Sequence, residues 1–273
     1  MLTMVTIDGP RGTLYLPLTD ATAGYVVKEI QGLDPVKATL SSSTLATMDG
    51  AIFQNARREP RNITMIIGLE SDYVTNDVAG LRDNLYAYLM PKGIITFSLY
   101  DRPGGVFART VAVVENVDNN MFTSDPEINV SLMCYDPDLY APDTTVLQST
   151  SSIDGDTTMI DYPGTTDTGI TLDITVPVVS GEVRIVNARP DGIVMQTRVA
   201  GNFVVGDQLT IDTNPGSKRV AIRRSGVDVS GLYLLDKTSS WVALQQGTNQ
   251  FTVYFNGAPT PYTVRYIVKY GGF

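Results

Sequence analysis

The side chain that most often moves protons or holds metals near neutral pH is histidine, and this 273-residue sequence contains none. A Ser-His-Asp or Cys-His nucleophile system therefore lacks its base. The single cysteine, Cys134, rules out an internal disulfide and is too few for a zinc site built from nitrogen and sulfur ligands. No lysine follows a glycine, so the Gly-Lys pair of a phosphate-cradling loop is missing, and no strand-to-helix junction carries the dinucleotide-binding glycine pattern. Carboxylates are plentiful, which leaves a glycosidase-type pair open, but position along the chain pairs no two of them. Asp154-Gly155-Asp156 has the start of a calcium loop without its later ligands or closing glutamate, and reads as a linker turn. The expectation is no catalytic residues, no cofactor and no metal ligands.

Two features remain that could recognise a partner. Arg57, Arg58 and Arg61 form the one basic cluster, a contact for an acidic partner or, on the commoner reading of a short charge run, a solvated hairpin tip. Trp241, the only tryptophan, is a candidate for stacking on a sugar ring, although the head of a Trp-x-x-Leu strand usually packs into a core. Asn62-Ile63-Thr64 and Asn129-Val130-Ser131 match the glycosylation acceptor pattern but lie inside strand-like runs, so both read as coincidence.

The elements that must position these residues are mostly strands. With 43% apolar and 18% charged residues the chain is too apolar for disorder, and no apolar run reaches membrane-spanning length. The first residues carry no basic region or long apolar stretch of a secretory signal, so synthesis in the cytosol and no membrane insertion are expected. The length suits two domains. Net charge is −9, with 17 acidic against 10 basic residues through position 140 and 12 against 10 beyond it. Such a surface repels phosphate backbones, which argues against specific nucleic-acid binding.

Period-two alternation dominates. Ile63, Met65, Ile67 and Leu69 share one face of a strand, as do Ile128, Val130, Leu132 and Cys134, which makes Cys134 a core residue rather than a reactive thiol. Val78, Leu81, Leu85 and Leu89 instead fall on one helical stripe, predicting a helix over about 76–90. Thr75 or Asn76 would cap it, Asp77 would sit at the positive end of its dipole, and Pro91 and Gly93 would stop it. A turn-rich, Ser/Thr-rich stretch marks a boundary, giving a β-rich domain over 1–140, a linker over 141–152 and a second domain over 153–273. In the second domain Ile170, Leu172, Ile174 and Val176 alternate with polar residues. Further strands fit 183–187, 192–197, 208–212, 219–223, 251–255 and 262–270 with turns between them, which is the pattern of a β-sandwich of jelly-roll form without helix.

Several stretches also resemble the distal tail proteins of long-tailed, siphovirus-type bacteriophages. In the first half these are Gly32-Leu33-Asp34-Pro35, Met48-Asp49-Gly50-Ala51, Arg61-Asn62-Ile63-Thr64-Met65, the helix ending in Leu89-Met90-Pro91-Lys92-Gly93, and Asn129 through Asp136-Pro137. In the second half Gly206 through Asp212 and Trp241 through Asn249 are similar to the galectin-like domain of those proteins. The resemblance implies a mainly β protein, with an N-terminal ring-forming domain carrying one helix and a C-terminal galectin-like β-sandwich. It implies a homo-hexameric ring in the virion's tail tip that joins the tail tube protein to the tail-associated, tail-tip or baseplate proteins. The acidic excess of residues 1–140 is expected to line the channel of such a ring. A carbohydrate-binding adhesin that contacts host-surface sugar is the alternative.

Overall fold

Alternation in the sequence becomes burial in the structure, a computed structural model that describes every residue except 1, 19–23, 45–48, 73–76, 103–104, 121–122, 152–155 and 257. The chain divides into two compact units, Met1–Pro142 with Tyr270–Phe273, and Asp143–Lys269. Both are mainly β.

The first unit contains β1 (Met4–Gly9), β2 (Gly12–Pro17), β3 (Tyr25–Gln31), β4 (Ala38–Ser43), β5 (Ile52–Arg58), β6 (Arg61–Leu69), helix α1 (Val78–Tyr88), β7 (Ile94–Arg102), β8 (Gly105–Asn120) and β9 (Glu127–Cys134). Strand β10 (Leu139–Thr150) carries the chain into the second unit. Antiparallel pairing runs β2-β1-β7-β8-β9-β6-β3. Strand β8 pairs with β7 through Val113 and with β9 from Val113 onward, so one long strand serves both halves of the sheet. Inward-facing Ile63, Met65, Ile67, Ile128, Val130, Leu132 and Cys134 form the core with Phe97, Leu99 and Leu85. The position of Cys134 matches the expected apolar face, and burial pushes its thiol pKa up.

Helix α1 places Leu81, Leu85 and Leu89 in this core, as the stripe requires. It is shorter than expected. Its N-cap is Asp77, whose carboxylate accepts from the Gly80 N–H at 2.7 Å, while Thr75 and Asn76 lie outside the described residues.

The second unit contains β11 (Thr157–Tyr162), β12 (Thr168–Gly169), β13 (Thr171–Thr175), β14 (Ser180–Ala188), β15 (Val194–Phe203), β16 (Gln208–Asp212), β17 (Arg219–Arg224), β18 (Val227–Ser230), β19 (Ala243–Leu244), β20 (Gly247–Phe255) and β21 (Pro261–Tyr270). Two sheets, β18-β17-β16-β13-β21 and β11-β20-β14-β15, contribute apolar faces: Leu172, Ile174, Leu209, Ile211 and Val264 from one, Ile160, Val183, Ile185, Val199, Phe251 and Val253 from the other. That is a sandwich core. The turns explain two of the sequence stretches picked out above. Asp207 accepts from the Val204 N–H and pairs with Arg224, while Asn249 bonds Gln245 N, Gln245 O and Gly247 O to close the turn at Gly247, whose φ of 101° suits glycine.

Three local expectations differ from the structure. The stretch expected as a linker over 141–152 continues strand β10 to Thr150, because its threonines and valine suit extended backbone as well as they suit a loop. A short 3-10 turn, Leu232–Leu234, occurs in the unit expected to lack helix. Trp241 does not begin a strand, since β19 starts at Ala243.

Candidate assembly site

Three of the five stretches of the N-terminal half that resemble distal tail proteins converge on one side chain. Arg61 is 1% exposed and its guanidinium donates only to main-chain carbonyls: Nε to Pro137 (3.0 Å), Nη1 to Gly32 (2.6 Å) and Asp34 (2.8 Å), and Nη2 to Gly271 (2.6 Å). The rigid five-donor fork of arginine suits such a knot, and lysine has no equivalent geometry. Gly32 is required beside it, since it holds φ 84° and a Cβ there would lie 1.9 Å from the Asn62 carbonyl oxygen. Burial depresses the pKa of Arg61, the direction expected of a desolvated cation. The returning chain end is part of this knot. Phe107 stacks on Tyr270 at 4.8 Å and meets Phe273 edge-on at 5.1 Å, and the Phe273 N–H donates to the Leu33 carbonyl.

The basic cluster is thus split, and it lies at the base of a hairpin rather than at its tip. Arg61 is buried. Arg58 forms a two-pronged ion pair with Asp138, at 2.6 and 3.2 Å, and this hydrogen bonding raises its pKa. Arg57 is exposed, as Arg58 is, on the strand that leads into the knot. Tyr140 donates to Asp136 beside this pair, and burial followed by that acceptor pushes its phenol pKa well up.

Beyond the knot stands the hairpin β4–β5, a two-stranded sheet of its own. Pairing of Leu40 with Ala56 and of Ser42 with Phe53, across a bulge at Gln54, sets Leu40, Ala56 and Phe53 on one face. Thr39, Ser41, Asn55 and Arg57 occupy the other. The hairpin therefore has an apolar face, yet Leu40 is 67% and Phe53 63% exposed, and all of β5 faces solvent. A lone two-stranded hairpin is marginal in water, so an apolar face of this kind calls for a cover.

Two other outward faces of the first unit matter. The outer side of β3-β6-β9-β8 carries a shallow cavity of about 290 Å³ bordered by Glu29, Gln31, Ile66, Asp118 and Asn129. Glu29, Asp118 and the adjacent Glu115 accept only from Gln31, Asn116 and Ser131 among the described interactions, so this face keeps its negative charge. The outer side of β7–β8 is mixed: Ile94 pairs with Val113, Thr96 with Val111 and Ser98 with Arg109, Ile94 is 66% and Val111 60% exposed, and Arg109 faces solvent beside them.

Trp241 is half-buried in the second unit, with the Lys218 ammonium 5.7 Å from its ring centroid. Among the described residues no group of three or more His, Cys, Asp or Glu side chains is placed to hold a metal ion, and no helix is long and apolar enough to cross a membrane. Asp154 and Gly155 lie outside the described residues. Residue types alone missed the buried role of Arg61 and the exposed Leu40 and Phe53. The Gly32-Leu33-Asp34-Pro35 and Asp136-Pro137 turns were the available signal for the first.

Residues 163–270 match the family described as the siphovirus-type tail component, C-terminal domain. The fold is similar to that of the SPP1 Dit (gp 19.1) protein, described as a paradigm of the hub adsorption apparatus in phages that infect Gram-positive bacteria, with a TM-score of 0.68 and 15% identity over 97% of this chain and 98% of that one. A chain of the phage P2 baseplate in its activated conformation with calcium aligns over 99% of this chain and 98% of its own, at a TM-score of 0.43 and 8% identity. No curated protein matches the sequence.

Proposed function

We infer that this chain is a siphovirus-type tail component built on the distal tail protein fold, and we propose that it is a structural hub protein whose copies close into a hexameric ring at the tail tip. The ring joins the tail tube protein above to tail-associated, tail-tip or baseplate proteins below. The observation that carries this reading is the β4–β5 hairpin of the first unit, whose apolar face no described residue of its own chain covers. A neighbouring copy supplies the cover, and because hairpin and body are different surfaces the contact is head-to-tail, the kind that rotation closes into a ring.

The acidic face of β3-β6-β9-β8, with Glu29, Glu115 and Asp118 free of cationic partners among the described ion pairs, suits the wall of a channel through which DNA passes without adhering. The role is structural and places the protein in the virion. The adhesin alternative gains no observation, since Trp241 has Lys218 near its ring and no second exposed aromatic beside it in the described contacts. Negative-stain images and native mass spectra of the purified full chain test the proposal. Six-membered rings are expected, and a chain that stays monomeric at every concentration contradicts it.

A further inference from the structure

The first unit consists of two pieces of chain, Met1–Pro142 and Tyr270–Phe273, with Asp143–Lys269 folded as a unit of its own between them. Each residue of the short piece is engaged in the first unit. The Tyr270 ring stacks on Phe107, the Gly271 carbonyl accepts from Arg61, the Phe273 N–H donates to the Leu33 carbonyl, and the Phe273 ring meets Phe107 edge-on. Gly272 lies against the Asp34–Pro35 peptide, where a Cβ would come within 2.6 Å of both the nitrogen and the Cδ of Pro35. A segment that merely runs on from a strand frays, and this one is tied at four successive residues.

We propose that residues 270–273 are a clasp by which the folded second unit completes the first: they position the Gly32–Pro35 turn and Arg61, and through these the base of the β4–β5 hairpin. Strand β4 begins at Ala38, just after that turn, and β5 ends at Arg58, just before Arg61. The Glu59 N–H donates to the Lys37 carbonyl at 2.9 Å and closes the base. One guanidinium joins both legs to the clasp, since Arg61 grips the Gly32 and Asp34 carbonyls with Nη1 and the Gly271 carbonyl with Nη2. Loop-closure entropy makes the second unit part of the device. Unfolded, Asp143–Lys269 is a long loop whose closure opposes seating of the clasp. Folded, its entry strand β10 and exit strand β21 are neighbours in one sheet, with the Ser151 N–H donating to the Thr260 carbonyl, so the loop is already closed. For a ring subunit, a consequence that rests on the reading above, the hairpin is set only in a chain whose second unit has been made and folded. The competing account is that residues 270–273 only add to the first core. It requires that loosening them weakens the whole first unit evenly, whereas a clasp confines the loss to the hairpin base.

Amide exchange in the dilute full-length chain tests this. Gly272→Ala puts a methyl group against Pro35 and is expected to speed exchange of the Phe273 and Glu59 amides at least about tenfold, leaving residues 63–67 and 128–132 of β6 and β9 at their original rates. Ile185→Asp combined with Val199→Asp buries two carboxylates and unfolds the second unit, as the emission of Trp241, the only tryptophan, reports. In that variant the Phe273 and Glu59 amides are expected to lose protection while β6 and β9 keep theirs. Protection of Phe273 or Glu59 retained in either variant, or an equal loss through β6 and β9, overturns the clasp. Native mass spectrometry over a concentration series separates this result from the ring reading. Gly272→Ala is expected to need at least about tenfold more protein for half-assembly, as the competent fraction falls. Undiminished assembly of Gly272→Ala overturns the clasp and leaves the ring standing. An unsubstituted chain that never forms rings overturns the ring reading, and the amide rates still decide the clasp.

Discussion

Two antiparallel hairpins in this molecule have opposite surroundings. In β14–β15 every second residue turns inward, and Val183, Ile185, Thr197 and Val199 are buried. In β4–β5 the pairing is as regular apart from one bulge, yet no residue of either strand is buried. The first hairpin is held by its own unit. The second has the same backbone bonds and an apolar face but no core behind it among the described residues, and in the proposed ring its cover comes from a neighbouring copy. On that proposal the same secondary structure serves two levels of organisation, the folding of one chain and the joining of several.

Substitutions sharpen that contrast. The largest effect is expected where the exposed hairpin is anchored. Arg61→Ala leaves four carbonyls without their donor, each worth roughly 1–3 kcal/mol if left unpaired and buried, so a loss of about 4 kcal/mol or more is expected in urea unfolding. A loss under about 1 kcal/mol would mean that water replaces the guanidinium and that the knot is not a structural anchor. Next comes the covered hairpin, where Ile185→Ala removes fully buried methyl groups and is expected to cost about 2–5 kcal/mol. The matching change in the uncovered hairpin, Leu40→Ala, is expected to alter monomer stability by no more than about 0.5 kcal/mol while weakening assembly. Equal costs at Ile185 and Leu40 would erase the distinction between the two hairpins.

A smaller effect separates the two units by pH. In the second unit Arg224 holds the Asp207 carboxyl below its ordinary value, so the stability this pair contributes is present above about 3.9 and is lost as pH falls through the lower folded value. Asp207→Asn should flatten that acid limb. In the first unit the Tyr140 phenol titrates above its ordinary value, so its contribution is intact below about 10 and declines as pH rises beyond that. Tyr140→Phe should flatten the alkaline limb instead. Unfolding midpoints measured from pH 2 to 11 check both, and an acid limb unchanged by Asp207→Asn counts against the pairing.

The contrast also explains what the sequence made legible. Alternation finds strands that pack on their own core, so β6, β9, β13, β14 and β16 were readable, and the Leu81-Leu85-Leu89 stripe gave the helix. It is blind to a strand that packs on no core of its own. In Ile52–Arg58 the neighbours Ile52 and Phe53 point to opposite faces of the hairpin, and the bulge at Gln54 sets Phe53 and Ala56 on one face three residues apart, so no period-two run emerges. Arg61 was visible as a charge but not as a buried one, because its acceptors lie 27 to 210 residues away and are backbone carbonyls, which have no residue type. The Gly32-Leu33-Asp34-Pro35 and Asp136-Pro137 turns carried resemblance to a family, and the structure gives the physical reason: they shape the loops that present those carbonyls.

Hydrogen–deuterium exchange at the amides of residues 38–43 and 52–58, followed in the full chain at concentrations below and above the onset of assembly, tests the central claim most directly. A hairpin that depends on a second copy for its cover should exchange rapidly in the dilute chain and become protected on assembly, while β14–β15 stays protected throughout. Equal protection of β4–β5 in the dilute and the assembled chain would contradict the account.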